Sequence, residues 1–85
     1  MKIFTVTYDL RNDRDYDRLY NRLEDLGGIR VLESTWTLKL ADINNCKDVM
    51  HDLCRYIDKD DGMYIAYIKS SICQKPDNEP HRYKQ

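Results

Sequence analysis

Two stripes of apolar residues at helical spacing, each enclosed between β-rich stretches, constrain this chain more than any other feature. In the second stripe Cys46, Val49, Met50, Leu53, Cys54 and Ile57 recur at steps of 3, 1, 3, 1 and 3, which puts them on one side of a helix. Tyr16, Leu19, Tyr20, Leu23 and Leu26 form the first stripe. The spacing predicts helices over residues 14–26 and 45–57. Asn12 or Asp13 is positioned to cap the first, and Gly27-Gly28 to stop it, because glycine readily takes the left-handed conformation of a helix end.

The β-rich stretches follow a period of two. In residues 3–10, Phe4, Val6 and Tyr8 share one face and Ile3, Thr5, Thr7 and Asp9 the other. The aromatic face is predicted to meet the helices, and the threonine face, with Asp9 at its end, to be the bare face. Residues 29–33 and 35–40 predict a hairpin around Glu33-Ser34-Thr35; without an Asn-Gly signal its turn is expected to be tight or bulged. Residues 63–68 supply a fourth strand. The order strand, helix, strand, strand, helix, strand predicts an α+β fold of ferredoxin-like βαββαβ type, one antiparallel sheet with two helices on one face.

Eighty-five residues make one domain with a modest core, so a homodimer that covers the bare sheet face is expected. Residues 1–69 form the predicted domain. Residues 70–85, polar and containing Pro76 and Pro80, read as a tail that is mobile or adds Ile72 and Cys73 to a partner's sheet edge. Charged residues are 34% of the chain, but the net charge is only −1, so any nucleic-acid surface must be local. No stretch is apolar and long enough for a membrane span, and no secretory leader is expected before the first strand. Three unpaired-looking cysteines suit a reducing, cytoplasmic setting, and His51 and His81 lack ligand spacing with them for zinc.

The end of the first strand, Tyr8-Asp9-Leu10, is followed by Asp15-Tyr16-Asp17-Arg18-Leu19, then by Arg30-Val31-Leu32-Glu33-Ser34-Thr35-Trp36 and by Asp58-Lys59-Asp60-Asp61. In this order the segments resemble the small phage and bacterial proteins called SinR-like, which are similar in turn to the CRISPR-associated Cas-two family and the VapD toxins. The resemblance spans residues 2–68. It implies a ferredoxin-like homodimer, a metal-dependent nuclease in some relatives and a non-catalytic DNA-holding scaffold in others. Asp9 takes the place of the family's metal-binding aspartate, and Ser34 that of the serine after the second strand. The chain departs from the CRISPR-associated proteins at Trp36, where a Val-Phe pair is more usual, and in lacking a strongly basic surface.

Asp9 is therefore the leading candidate for catalysis and for Mg²⁺ or Mn²⁺, which takes one or two carboxylates and keeps waters. Across a two-fold axis two such carboxylates would repel unless a cation or a shared proton intervened. The alternative reading has Asp9 capping the following turn. Ser34 is read either as a phosphate or metal-water contact or as turn chemistry. Arg11, Arg14, Arg18 and Arg22, at steps of 3, 4 and 4, read as a phosphate-tracking stripe or as a solvated face with local pairs Asp15–Arg18 and Arg22–Asp25; Arg30 is equally open. Asp58, Asp60 and Asp61 read as a solvated turn, since the EF-hand pattern fails. Three functions follow: a metal-dependent endonuclease acting on RNA or DNA; a non-catalytic protein- or nucleic-acid-binding module, in the manner of a phage or mobile-element protein that meets a host or defence protein; and, third, a small-nucleotide binder.

Overall fold

A computed structural model describes residues 1–11 and 16–81. The elements follow in the order β1 (Lys2–Asp9), α1 (Asp17–Asp25), β2 (Ile29–Leu32), β3 (Thr35–Leu40), α2 (Cys46–Leu53) and β4 (Gly62–Ile68). Every pairing is antiparallel, in one sheet ordered β2-β3-β1-β4. This is the α+β, ferredoxin-like arrangement that the order of elements predicts. Its consequence for function is that β1 lies inside the sheet, paired with β3 on one side and β4 on the other.

The alternation of β1 decides the core. Phe4, Val6 and Tyr8 pack with Trp36 and Leu38 of β3 and with Leu19, Leu23, Val49 and Leu53 of the helices. Each fully buried aliphatic side chain here contributes about 1.5–3 kcal/mol relative to exposure. At the end of α1, Gly27 takes φ 75°, and the Gly28 N–H returns to the Leu23 carbonyl at 2.8 Å. The glycine pair thus stops the helix as its sequence predicts. The candidate caps Asn12 and Asp13 lie outside the described residues. At the start of α2, Asn45 and Asp48 exchange side-chain and backbone hydrogen bonds in a capping box.

Three expectations are corrected. The second helix does not run to Ile57. It is α-helical to Leu53 and tightens into a 3-10 turn over Cys54–Tyr56, which widens the angular step per residue, and Cys54 is exposed and not on the core stripe. Arg22 does not pair with Asp25. The helix packing brings Asp52 of α2 against it, in a two-pronged contact of Nε to Oδ1 at 2.9 Å and Nη2 to Oδ2 at 2.6 Å. The sheet face opposite the helices is not bare, because Ile3 and Thr37 are buried on it. Thr37 lies where residues 76–81 pass: the Asp77 N–H donates to the Val31 carbonyl, Asn78 Nδ2 to the Arg30 carbonyl, and the His81 N–H to Thr37 Oγ1. An apolar groove remains between this stretch and the sheet, lined by Val31, Ile68, Ile72 and Pro80 among others. The expected bulge is present, as a register shift between Arg30 and Leu32 where β2 meets β3.

The Arg22–Asp52 pair has a measurable signature. The Arg22 hydrogen bonds hold the Asp52 carboxyl below the usual carboxylate range, against the opposing effect of burial. Both side chains are under a third exposed, 29% and 25%, so solvent screens the pair only in part. Because the folded state binds this proton less readily than the unfolded chain, the pair's stabilisation is full above about pH 4 and is lost as pH falls through the lowered folded value. Asp52→Asn is expected to cost about 1–2 kcal/mol at pH 7. It is also expected to flatten the decline in urea midpoint below pH 4. Parallel acid profiles for the two proteins would contradict this.

Candidate active site at the end of the central strand

Asp9 is the last residue of β1, opposite Gly62 at the start of β4. Strand parity puts it on the face of Thr5 and Thr7, away from the helices, with its side chain 74% exposed. Its carboxylate accepts a hydrogen bond from Arg11 Nε at 3.3 Å, and this is also an ion pair. Arg11 is held at two further points: its backbone N–H donates to Asp61 Oδ1 at 3.0 Å, and Nη1 donates to the Asp60 carbonyl at 3.2 Å. Gly62 leaves room for this arrangement. A Cβ there would stand 2.9 Å from Arg11 Nη2.

Asp61 organises this end of the molecule, a role that the solvated-turn reading missed. Oδ1 accepts from the Arg11 N–H and from the Tyr16 hydroxyl, and Oδ2 accepts from the Asp58 N–H. Its own N–H returns to the Asp58 carbonyl at 3.1 Å. One carboxylate thus ties the segment entering β4 to both described ends of the β1–α1 connection. The available signal was an aspartate three residues after a loop residue whose N–H it can accept, just before a strand.

Ser34 sits in the β2–β3 turn beside the end of β1, its carbonyl accepting from the Tyr8 N–H at 3.1 Å. The same turn is pinned from the core side. Trp36 Nε1 donates to the Tyr8 hydroxyl at 3.0 Å, and that hydroxyl donates to the Glu33 carbonyl at 3.2 Å. Arg30 donates to the same carbonyl through Nε at 2.9 Å and Nη2 at 2.5 Å. Burial pushes the Tyr8 phenol up from its ordinary pKa, with the Trp36 hydrogen bond acting the other way. The guanidinium of Arg30 lies over the Tyr20 and Trp36 rings, 4.8 and 5.9 Å from their centroids.

The proposed arginine stripe therefore divides. Arg11 reaches Asp9. Arg18 is exposed and lies 5.8 Å from the Tyr56 ring centroid. Arg22 engages Asp52 and Arg30 the hairpin turn, each through internal hydrogen bonds. Arg14 lies outside the described residues. The structure brings Asp9 and Arg11 together, with Ser34 alongside the strand that ends in Asp9.

Among the described residues no three or more His, Cys, Asp or Glu side chains are grouped to hold a metal ion. One chain offers Asp9 as a single exposed carboxylate. Its hard oxygen is of the kind that Mg²⁺ or Mn²⁺ accepts, one or two carboxylates at a time. Among the described residues no helix is long and apolar enough to cross a membrane.

Fold and site together define a small ferredoxin-like α+β domain with an exposed carboxylate at the end of a strand inside its sheet. The family model for CRISPR associated protein Cas2 matches residues 1–76, which takes in every helix and strand described above. The chain belongs to the Cas2 family.

Proposed function

We propose that this protein is a metal-assisted endonuclease of the Cas2 family that acts on RNA or DNA as a homodimer, with Asp9 of both protomers at its centre. The observation that carries this reading is the exposed Asp9 carboxylate at the end of β1, in a chain whose family membership spans residues 1–76. Bound divalent cation would polarise the phosphodiester and lower the pKa of an attacking water. Asp9 would supply the anionic oxygens to hold such a cation, and the pairing of its backbone with Gly62 at the end of an interior strand fixes where they stand. Arg11 supplies a guanidinium next to them, suited to a phosphate oxygen. Ser34, beside the strand end, offers a hydroxyl to the same group.

A second reading, a non-catalytic binding module for nucleic acid or for a host or defence protein, is favoured by one observation: Asp9 already has a cationic neighbour in Arg11. A cleavage assay separates the two. Short RNA and DNA are incubated with the protein in Mg²⁺, Mn²⁺ or chelator, beside Asp9→Asn prepared identically, with the mass of both in solution measured by light scattering. The nuclease reading expects cutting that needs metal and disappears in a variant of unchanged mass. Cutting that survives Asp9→Asn, or none from a folded dimer, would overturn it and leave the binding module.

A further inference from the structure

We infer that Arg11 is a built-in counter-ion of Asp9, seated in a cradle made by Gly62, and that it competes with a divalent cation for the carboxylate. The inference rests on the reading of Asp9 as a cation ligand and adds to it a control over access.

The guanidinium is placed by several groups at once. Nε bonds Asp9 Oδ2, Nη1 bonds the Asp60 carbonyl, and the backbone N–H is anchored on Asp61. Nη2 passes over Gly62, where an added Cβ would come within 2.9 Å of it. Gly62 is also the cross-strand partner of Asp9, so the cradle and the carboxylate face each other across one register step. The same Cβ would stand at an ordinary 3.6 Å from Asp9 Cβ. A methyl group at Gly62 would therefore press on the guanidinium and leave the carboxylate alone.

Two effects make the guanidinium a competitor. It occupies one carboxylate oxygen, and its positive charge repels an arriving dication. Both side chains are well exposed, 59% and 74%, and exposed ion pairs are weak. The arrangement therefore lowers cation affinity without abolishing it, and Arg11 can be displaced.

Binding of Mn²⁺, followed by the loss of free-ion signal in electron paramagnetic resonance, tests this without any cleavage readout. The proteins compared are wild type, Arg11→Gln, Gly62→Ala, Asp9→Asn and the Asp9→Asn/Arg11→Gln pair, each checked for folding by circular dichroism. Arg11→Gln is expected to bind Mn²⁺ about 2- to 5-fold more tightly than wild type, the range that an exposed ion pair's strength allows. Gly62→Ala, which keeps the arginine's charge but spoils its seat, should shift affinity in the same direction. Asp9→Asn should remove the binding in either background. Equal affinity for wild type and Arg11→Gln would overturn the inference while leaving Asp9 as a cation ligand. A gain in Arg11→Gln with none in Gly62→Ala would reduce the effect to general charge and overturn the cradle. Mn²⁺ binding indifferent to Asp9→Asn, or absent from every variant, would overturn the metal reading of Asp9 and the counter-ion with it.

Discussion

Gly28→Ala is expected to destabilise the protein by about 3 kcal/mol, whereas Gly27→Ala, one residue earlier, should cost about 1 kcal/mol. The two glycines do different work. Gly27 carries the positive φ of 75° that stops α1, and a Cβ there would meet nothing within 4 Å. Its substitution costs backbone strain alone. A Cβ on Gly28 would stand 2.7 Å from the Leu23 carbonyl oxygen, 2.8 Å from Leu38 Cδ2 and 3.1 Å from Trp36 Cε3. Leu23, Leu38 and Trp36 are core residues that cannot swing aside, and the Leu23 oxygen is the one that Gly28's own N–H bonds. Relief would need α1 to lift from β3. Urea denaturation of the two variants provides the comparison. A loss in Gly28→Ala no larger than in Gly27→Ala would mean that the helix is not seated as described.

Asp61→Ala is expected to cost about 2–3 kcal/mol, and Asp61→Asn roughly half as much. Alanine leaves the Arg11 N–H, the Tyr16 hydroxyl and the Asp58 N–H without the carboxylate that accepts them. Because these groups are only partly buried, water replaces some of what is lost, which keeps the figure below that for a fully buried charged acceptor. Asparagine retains one acceptor oxygen. The expected pattern in a two-dimensional amide spectrum is a shift of the Arg11 and Asp58 resonances well beyond that of β3. A stability within about 0.5 kcal/mol of wild type would show that Asp61 is the solvated turn residue that its sequence context implied.

What was legible in the sequence was what local periodicity encodes. The alternation of Phe4, Val6 and Tyr8 against Thr5, Thr7 and Asp9 determined which face of β1 enters the core, and with it the exposure of Asp9. The steps between Leu19 and Leu23 and between Val49 and Leu53 located the buried sides of the helices. Gly27-Gly28 marked a helix end. Features that depend on distant partners were not legible. Arg22 has acidic residues near it in sequence, but its partner Asp52 is brought up by the packing of one helix on another. The covering of Thr37 on the supposedly bare face was hidden for a different reason. Residues 76–81 are fastened by the backbone N–H groups of Asp77 and His81 and by the side chains of Asn78 and His81, and bonds to partners so distant in sequence leave no mark in local side-chain pattern. Asp61 fell between these cases, since its bond to Asp58 is local but those to Arg11 and Tyr16 cross the fold.

The interior position of β1 also sets the timescale on which the body of the strand can open. From Ile3 to Thr7 the strand is laddered on both sides, so its amides can exchange with solvent hydrogen only when most of the sheet comes apart. Backbone opening along Ile3–Thr7 is then as slow as global unfolding, whereas Asp9 lies past that stretch, paired with Gly62 on one side, and rotation about its side-chain bonds remains a matter of nanoseconds or less. The fastest events at this carboxylate are in consequence rotamer events, carried out next to a stretch of backbone that stays still.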